Sequence, residues 1–301
     1  MTALAAPTRA TPTLESKDRR FGYGMAAPGL LVLAAIILAP VALALATSLF
    51  DYTLMNLNFD SFIGLDNFTS ALANAEFRNA MVVTGFFVIA VVALEFVIGF
   101  VVALMLTAVK RGKNVYYLIL LIPLLINPVV VGLIWRMLLH PTLGIVNWLL
   151  GGLGIPDVDW LGRPANAFWT VVLVDIWHQV SFMAVLLTAG LAALPTEPYE
   201  AARAEGAGTL QVFWHITLPL MKPVIAVTLL IRLIFAIKTY DLIYIMTRGG
   251  PGDATDLISY YIYRSAFARL NLGEAAAMAI LLMAIVIALT LALFHAMRRR
   301  D

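Results

Sequence analysis

Cysteine is absent from the chain, which excludes disulfides, thiolate nucleophiles and cysteine-held metal centres. Histidine is scarce: His140, His178, His215 and His295 are scattered, with no HxxxH or HExxH spacing among them. No paired His–carboxylate or Ser–His arrangement occurs at helical spacing, so there is no catalytic residue and no metal site to name, and an intramembrane enzyme is disfavoured. The GxxxxGK[ST] phosphate loop is also missing; Gly112-Lys113 runs into Asn114 without the upstream glycine. The chain is therefore not expected to hydrolyse ATP. Charged residues make up 13%, against roughly 25% in soluble domains. The net charge of +2 is too small to argue for nucleic acid.

What is present is apolar surface. Of the 301 residues 62% are hydrophobic, against roughly 45–50% in a soluble domain, and mean hydropathy is +0.91. An integral membrane protein follows. A spanning helix needs about 20 mostly apolar residues. Six stretches qualify, at 28–50, 80–109, 115–139, 168–191, 224–246 and 275–297. They lack strict period-two alternation, so helices fit better than a barrel. The fifth is the least apolar, because it carries Arg232, Lys238 and Asp241. Residues 1–27 read as a disordered cytosolic tail, 28–297 as the membrane domain and 298–301 as a cytosolic end. The first apolar run exceeds a signal-peptide core and reads as a retained anchor, although Ala44-Leu45-Ala46 resembles a cleavage site.

Lys and Arg bias sets the orientation. With both termini inside, the inner segments hold twelve basic residues (Arg9, Lys17, Arg19, Arg20, Lys110, Arg111, Lys113, Arg203, Lys222 and Arg298 to Arg300). The outer loops hold five, Arg78, Arg163, Arg248, Arg264 and Arg269. This bias places EPYEAARAEGAGTLQVFWHITLPLMKP, from Glu197 to Pro223, in the cytosol. Thr196 is suited to cap a helix there, Pro198 is tolerated in its first turn, and Gly206 suits its end. A second short helix is expected from about Thr209 through Phe213 and Trp214, with Pro219 and Pro223 punctuating its end before the fifth span.

Within that segment, Glu200-Ala201-Ala202, three residues, Gly206, nine residues and Ile216-Thr217-Leu218-Pro219 follow in order. This resembles the E-A-A signature of binding-protein-dependent ABC importers, fixing seven identities over twenty positions. The family often has Asp before the glycine, where this chain has Glu205. Several further segments are similar to carbohydrate-importer permeases of the maltose and glycerol-3-phosphate type. They are FIGLDNFTSAL, EFVIGFVVAL, INPVVVGLIWRMLLHPTLGIVN and MTRGGPGDATDLISYYIYRSAF. In the last, Arg248 stands where Gly is common.

The resemblance implies an all-α, six-helix type I ABC importer permease fold in the bacterial inner membrane. It implies that Glu200, Ala201, Ala202, Gly206, Ile216, Leu218 and Pro219, within 196–219, couple to a separate ATPase. The implied partners are two ATPase subunits, a second homologous permease, an extracytoplasmic solute-binding protein and membrane lipid. No cofactor is expected on this chain, with ATP and Mg held by the ATPase. ATP binding and the loaded binding protein would drive alternating access for a sugar, oligosaccharide, polyol or sugar derivative. The alternative is an ion-gradient-driven secondary transporter, with Glu95, Asp175 and Asp241 in a proton relay, although no clear inverted repeat is visible.

Ionisable groups within a bilayer are costly and mark either function or interior pairing. Glu95 lies in the second span, Asp175 and His178 in the fourth, and Arg232, Lys238 and Asp241 in the fifth. Lys238 and Asp241 are three apart and could pair on one helix face. Asn127-Pro128 offers a hinge in the third span. Sugar sites combine aromatic faces with polar groups, so Trp177, Gln179, Tyr240 and Asp241 are the candidate pathway residues. The loop at 140–167 reads equally as a docking surface for the binding protein or as an interfacial connection.

Overall fold

A computed structural model describes residues 14–298; Arg9, Arg299 and Arg300 of the charge bias, with the rest of 1–13 and 299–301, lie outside the described residues. The first helix, α1, is Leu14–Ser48. It takes in half of the expected tail, because Leu14 to Arg20 consists largely of helix formers that feed directly into the apolar run. Helix α2 (Asp66–Ala73) leads through Asn74 into α3 (Ala75–Ala108). Asn74 Oδ1 caps α3 by accepting from Glu76 N at 2.9 Å.

The third expected span is two helices, α4 (Lys113–Leu125) and α5 (Pro128–Leu138), bent by 91°. Pro128 lacks an N–H and disfavours helix at Asn127, so the sequence hinge is a real break. Helix α6 (Ile145–Gly152) lies in the following connection, and α7 (Pro164–Ala192) is the fourth span. Next come α8 (Glu197–Ala204) and α9 (Thr209–Val212). A π turn at Phe213–Thr217 joins α9 to α10 (Leu218–Ile237). Helix α11 (Asp241–Met246), α12 (Ile258–Phe267) and α13 (Leu272–Arg298) complete the described chain. Among the described residues five stretches are long and apolar enough to cross a membrane, and the bent α4–α5 pair, counted as one span, makes a sixth.

The centre of the bundle is the α3–α7 pair, with α10 against both. Small residues permit the approach. A Cβ at Gly99 on α3 would lie 2.8 Å from Met183 Cγ, and one at Gly190 on α7 would lie 2.6 Å from Val224 Cγ1. Helix α1 packs along α13 and leaves most of its surface uncovered by its own chain. At the end opposite α8, polar side chains fasten α12 and the turn after it to α3. Arg264 Nη2 lies 3.6 Å from Glu76 Oε2 and Arg269 donates to Glu76, while Arg264 Nη2 also donates to Asp256 Oδ2 at 2.7 Å.

Candidate functional site

The two broken spans pack against each other through α5 and α11 and, with α7, line a partly open cavity of about 370 Å³. At the first break, Asn127 Oδ1 accepts from Val129 N at 2.9 Å, starting α5. The carbonyl of Ile126 lies 3.0 Å from His178 Nε2, which therefore carries the proton and donates to it. His178 Nδ1 is then the acceptor for the Gln179 amide at 3.3 Å. At the second break, Ser259 Oγ donates to the freed carbonyl of Thr239 at 2.5 Å. Each break is thus paired by a side chain from another helix, as irregular backbone inside a membrane requires.

From α7 the cavity receives Asp175, His178, Gln179 and Phe182, whose spacing puts them on one face. From the α10–α11 break it receives Phe235 and the run Lys238 to Leu242. Phe182 and Phe235 meet edge to face with centroids 5.8 Å apart. The wall therefore offers ammonium and amide donors, carboxylate acceptors and aromatic surface, the combination that holds a polyhydroxylated ring.

Three of the four pathway candidates come together here: Gln179, Tyr240 and Asp241 line the cavity. Trp177 does not. Two residues from Asp175 along α7, it turns to another face and packs edge-on against Trp135, centroids 5.5 Å apart. Asp175, His178, Phe182, Phe235, Lys238 and Thr239 were not chosen from sequence, although the three-to-four spacing on α7 was visible there. The expected Lys238–Asp241 pair is absent among the described residues. The helical spacing that would have aligned them is interrupted, because Lys238 caps the end of α10 and Asp241 begins α11.

Behind the cavity lies an ionic cluster that pairwise sequence reading missed. Arg232 Nε donates to Glu95 Oε2 at 2.5 Å and Nη2 to Glu95 Oε1 at 2.8 Å, while Nη2 also donates to Asp175 Oδ2. Arg232 is 1% exposed, Glu95 0% and Asp175 4%. Two of the three carboxylates named for a proton relay are thus held by one guanidinium, and Asp241 lies apart from them.

At the α8 end of the bundle, the signature residues form a helix and its stop. Glu200 and Ala201 face outward, Ala202 is buried, and Glu200 forms no ion pair among the described residues. Gly206 has φ +80°. Gly206 N donates to Arg203 O at 3.1 Å and Ala207 N to Ala202 O at 2.9 Å, the double bond pattern of a glycine-terminated helix. Pro198 sits in the first turn, as expected. Thr196 does not cap through its hydroxyl: its backbone is already helical, and its carbonyl accepts from Tyr199 and Glu200 instead.

The second short helix does not end at Pro219. It continues through the π turn, and Pro219 falls in the first turn of α10, where its missing N–H is tolerated. Ile216 lies in the π turn, and Leu218 packs with Phe213 against Phe100, Met183 and Leu187. Tyr199 Oη donates to Thr217 Oγ1 at 3.1 Å, tying α8 to that turn. At the opposite end Arg248 has φ +51°, a left-handed conformation that explains why glycine suits the position. In the 140–167 loop, Asn147 pins α6 by donating to the Pro141 and Val158 carbonyls and accepting from Trp160 Nε1 at 2.8 Å.

Over residues 95–300 the sequence matches the family described as binding-protein-dependent transport system inner membrane component. It is 37% identical over 296 residues to the trehalose/maltose transport system permease protein MalF of Thermococcus litoralis, covering 97% of this chain and 98% of the relative. It is 34% identical over 293 residues to the sulfoquinovosyl glycerol transport system permease protein SmoG of Agrobacterium fabrum, covering 97% and 95%. A solved structure is similar with a TM-score of 0.82 and 25% identity, covering 95% of this chain and 97% of that one. It is a bacterial ABC transporter involved in the import of the acidic polysaccharide alginate. Nothing among these supports an ion-gradient carrier.

Proposed function

The chain belongs to this family of binding-protein-dependent inner-membrane transport components, with the type I ABC importer permease fold, and from that premise we propose how it works. It is a multi-pass permease subunit, and it forms half of the path for a carbohydrate-type solute. The relatives named for trehalose, maltose and sulfoquinovosyl glycerol support that class, as does a cavity lined by Phe182, Phe235, Gln179, Tyr240 and Asp241. A second homologous permease supplies the other half. Two ATPase subunits bind ATP and Mg, and a solute-binding protein delivers cargo at the end opposite α8.

The observation that carries this reading is the linkage from α8 to the cavity wall. Tyr199 Oη on α8 donates to Thr217 Oγ1 at 3.1 Å, and α10, which follows that turn, ends at the break that gives the cavity Tyr240 and Asp241. An ATPase cleft that grips α8 through Glu200, Ala201 and Ala202 moves α10, and with it the cavity wall. Glu200 is available for a charge-assisted contact with a partner arginine.

The test is uptake of radiolabelled maltose and trehalose into proteoliposomes holding the assembled importer, with ATP inside and binding protein outside. Wild type accumulates one of them only with both present. Glu200→Trp inserts and assembles but does not accumulate solute. Uptake at the wild-type rate by Glu200→Trp would overturn the coupling assignment, and ATP-independent uptake would overturn the importer reading.

A further inference from the structure

The Glu95–Arg232–Asp175 cluster does more than tie three helices. Glu95 is fully buried on α3 and does not line the cavity. Its two oxygens occupy Nε and one hydrogen of Nη2 on Arg232. That side-on fork fixes the guanidinium plane, and the second Nη2 hydrogen is then aimed at Asp175 Oδ2. Asp175 stands in the cavity wall, and its Oδ1 has no hydrogen-bond partner among the described residues. One carboxylate oxygen is clamped from behind and the other is left open toward the solute space.

We propose that Glu95 is a positioning residue for the transported solute, acting through Arg232 to set the direction in which Asp175 Oδ1 accepts hydrogen bonds from solute hydroxyls. This rests on the carbohydrate reading above. Loss of the fork leaves Arg232 free to swivel, and Asp175 then meets its ligand at a variable angle. Lysine cannot replace Arg232, because an ammonium is a point charge without a planar fork. Glutamine cannot replace Glu95, because one end of its amide presents N–H to the guanidinium N–H groups. A cluster that served only as a helix tie would act on assembly and leave solute affinity alone.

The experiment uses the assembled importer without its binding protein and measures equilibrium binding of radiolabelled maltose and trehalose. Asp175→Asn, Glu95→Gln and Arg232→Lys are each expected to weaken binding about tenfold, the effect of one charge-assisted hydrogen bond. Glu95→Gln combined with Asp175→Asn is expected to be no weaker than Asp175→Asn alone, since Glu95 acts only through Asp175. Glu95→Gln removes one charge of a buried cluster and is expected to melt earlier than wild type, so binding is read per assembled importer. Additive losses would overturn the proposal, and so would unchanged binding in Glu95→Gln beside weakened binding in Asp175→Asn.

A second readout needs no solute: the infrared carboxyl band of Asp175, identified by its loss in Asp175→Asn, shifts in Glu95→Gln and Arg232→Lys. A band that does not move would overturn the proposal whatever binds. Absence of sugar binding by wild type, with the band shifts present, would instead remove the carbohydrate reading and leave the clamp standing.

Discussion

Arg232, Glu95 and Asp175 pair with one another inside the bundle, whereas Glu200 stands exposed with no ion pair among the described residues. The two groups show opposite ways of using scarce charge. In the bundle a lone charge is costly, and the three most buried ionisable groups there are closed off by one another across three helices. On α8 the side chain is left exposed, and under the proposed coupling its partner comes from another subunit. Stability and solute binding should therefore depend on the first group, and the proposed coupling to ATP on the second.

The sharpest way to break this contrast is Arg232→Ala, which leaves two carboxylates buried and unpaired. A loss of about 3–5 kcal/mol is expected, read as poor assembly and an early melt of the detergent-solubilised importer. Wild-type melting would show that the cluster is not structurally costly to open.

Asp256 is an intermediate case, outside the spans but buried. Burial raises its carboxyl from the ordinary 3.8 to about 6, and Arg264 offsets part of that rise. The native carboxyl thus holds its proton more tightly than the unfolded one. Its contribution to stability is full below 3.8, falls as pH rises to about 6 and is then lost. The contribution is on the order of 3 kcal/mol. Asp256→Asn should remove this component, so the variant's melting curve runs flatter than wild type across that window.

Gly206 is smaller in energy. Nothing lies within 4 Å of a Cβ added there, so the cost of substitution comes from φ +80° alone. Gly206→Ala and Gly206→Leu should each lose about 1–2 kcal/mol, nearly independent of side-chain size, measured by melting. Both should also uncouple ATP hydrolysis from uptake. A much larger effect for leucine would point to steric exclusion by the ATPase instead. Glu200→Ala closes the series: stability should stay within about 0.5 kcal/mol of wild type while ATP-driven uptake is lost.

Local features were legible from sequence and distant ones were not. Pro128 announced the break between α4 and α5, since a residue without an N–H marks itself, but the 91° bend depends on what packs against it. Pro198 and Gly206 likewise declared the two ends of α8. Arg232 lies 137 residues from Glu95 and 57 from Asp175, and no periodicity links them. Thr196 and the Lys238–Asp241 pair failed for a shared reason. Each rested on an ideal local geometry, and the backbone at those positions departs from it. Trp177 lies on another face of α7 from Asp175, His178 and Phe182, whose three-to-four spacing is the guide to the cavity wall.

The π turn at Phe213–Thr217 gives the molecule rotary slack. Its wider loop of backbone holds a residue in reserve between the α8–α9 arm and α10. Tightening it to ordinary helix turns one side against the other by about 100°, the angle of a single residue, with no break in the rod. Under the proposed coupling, a push received at α8 would therefore reach α10 partly as a twist.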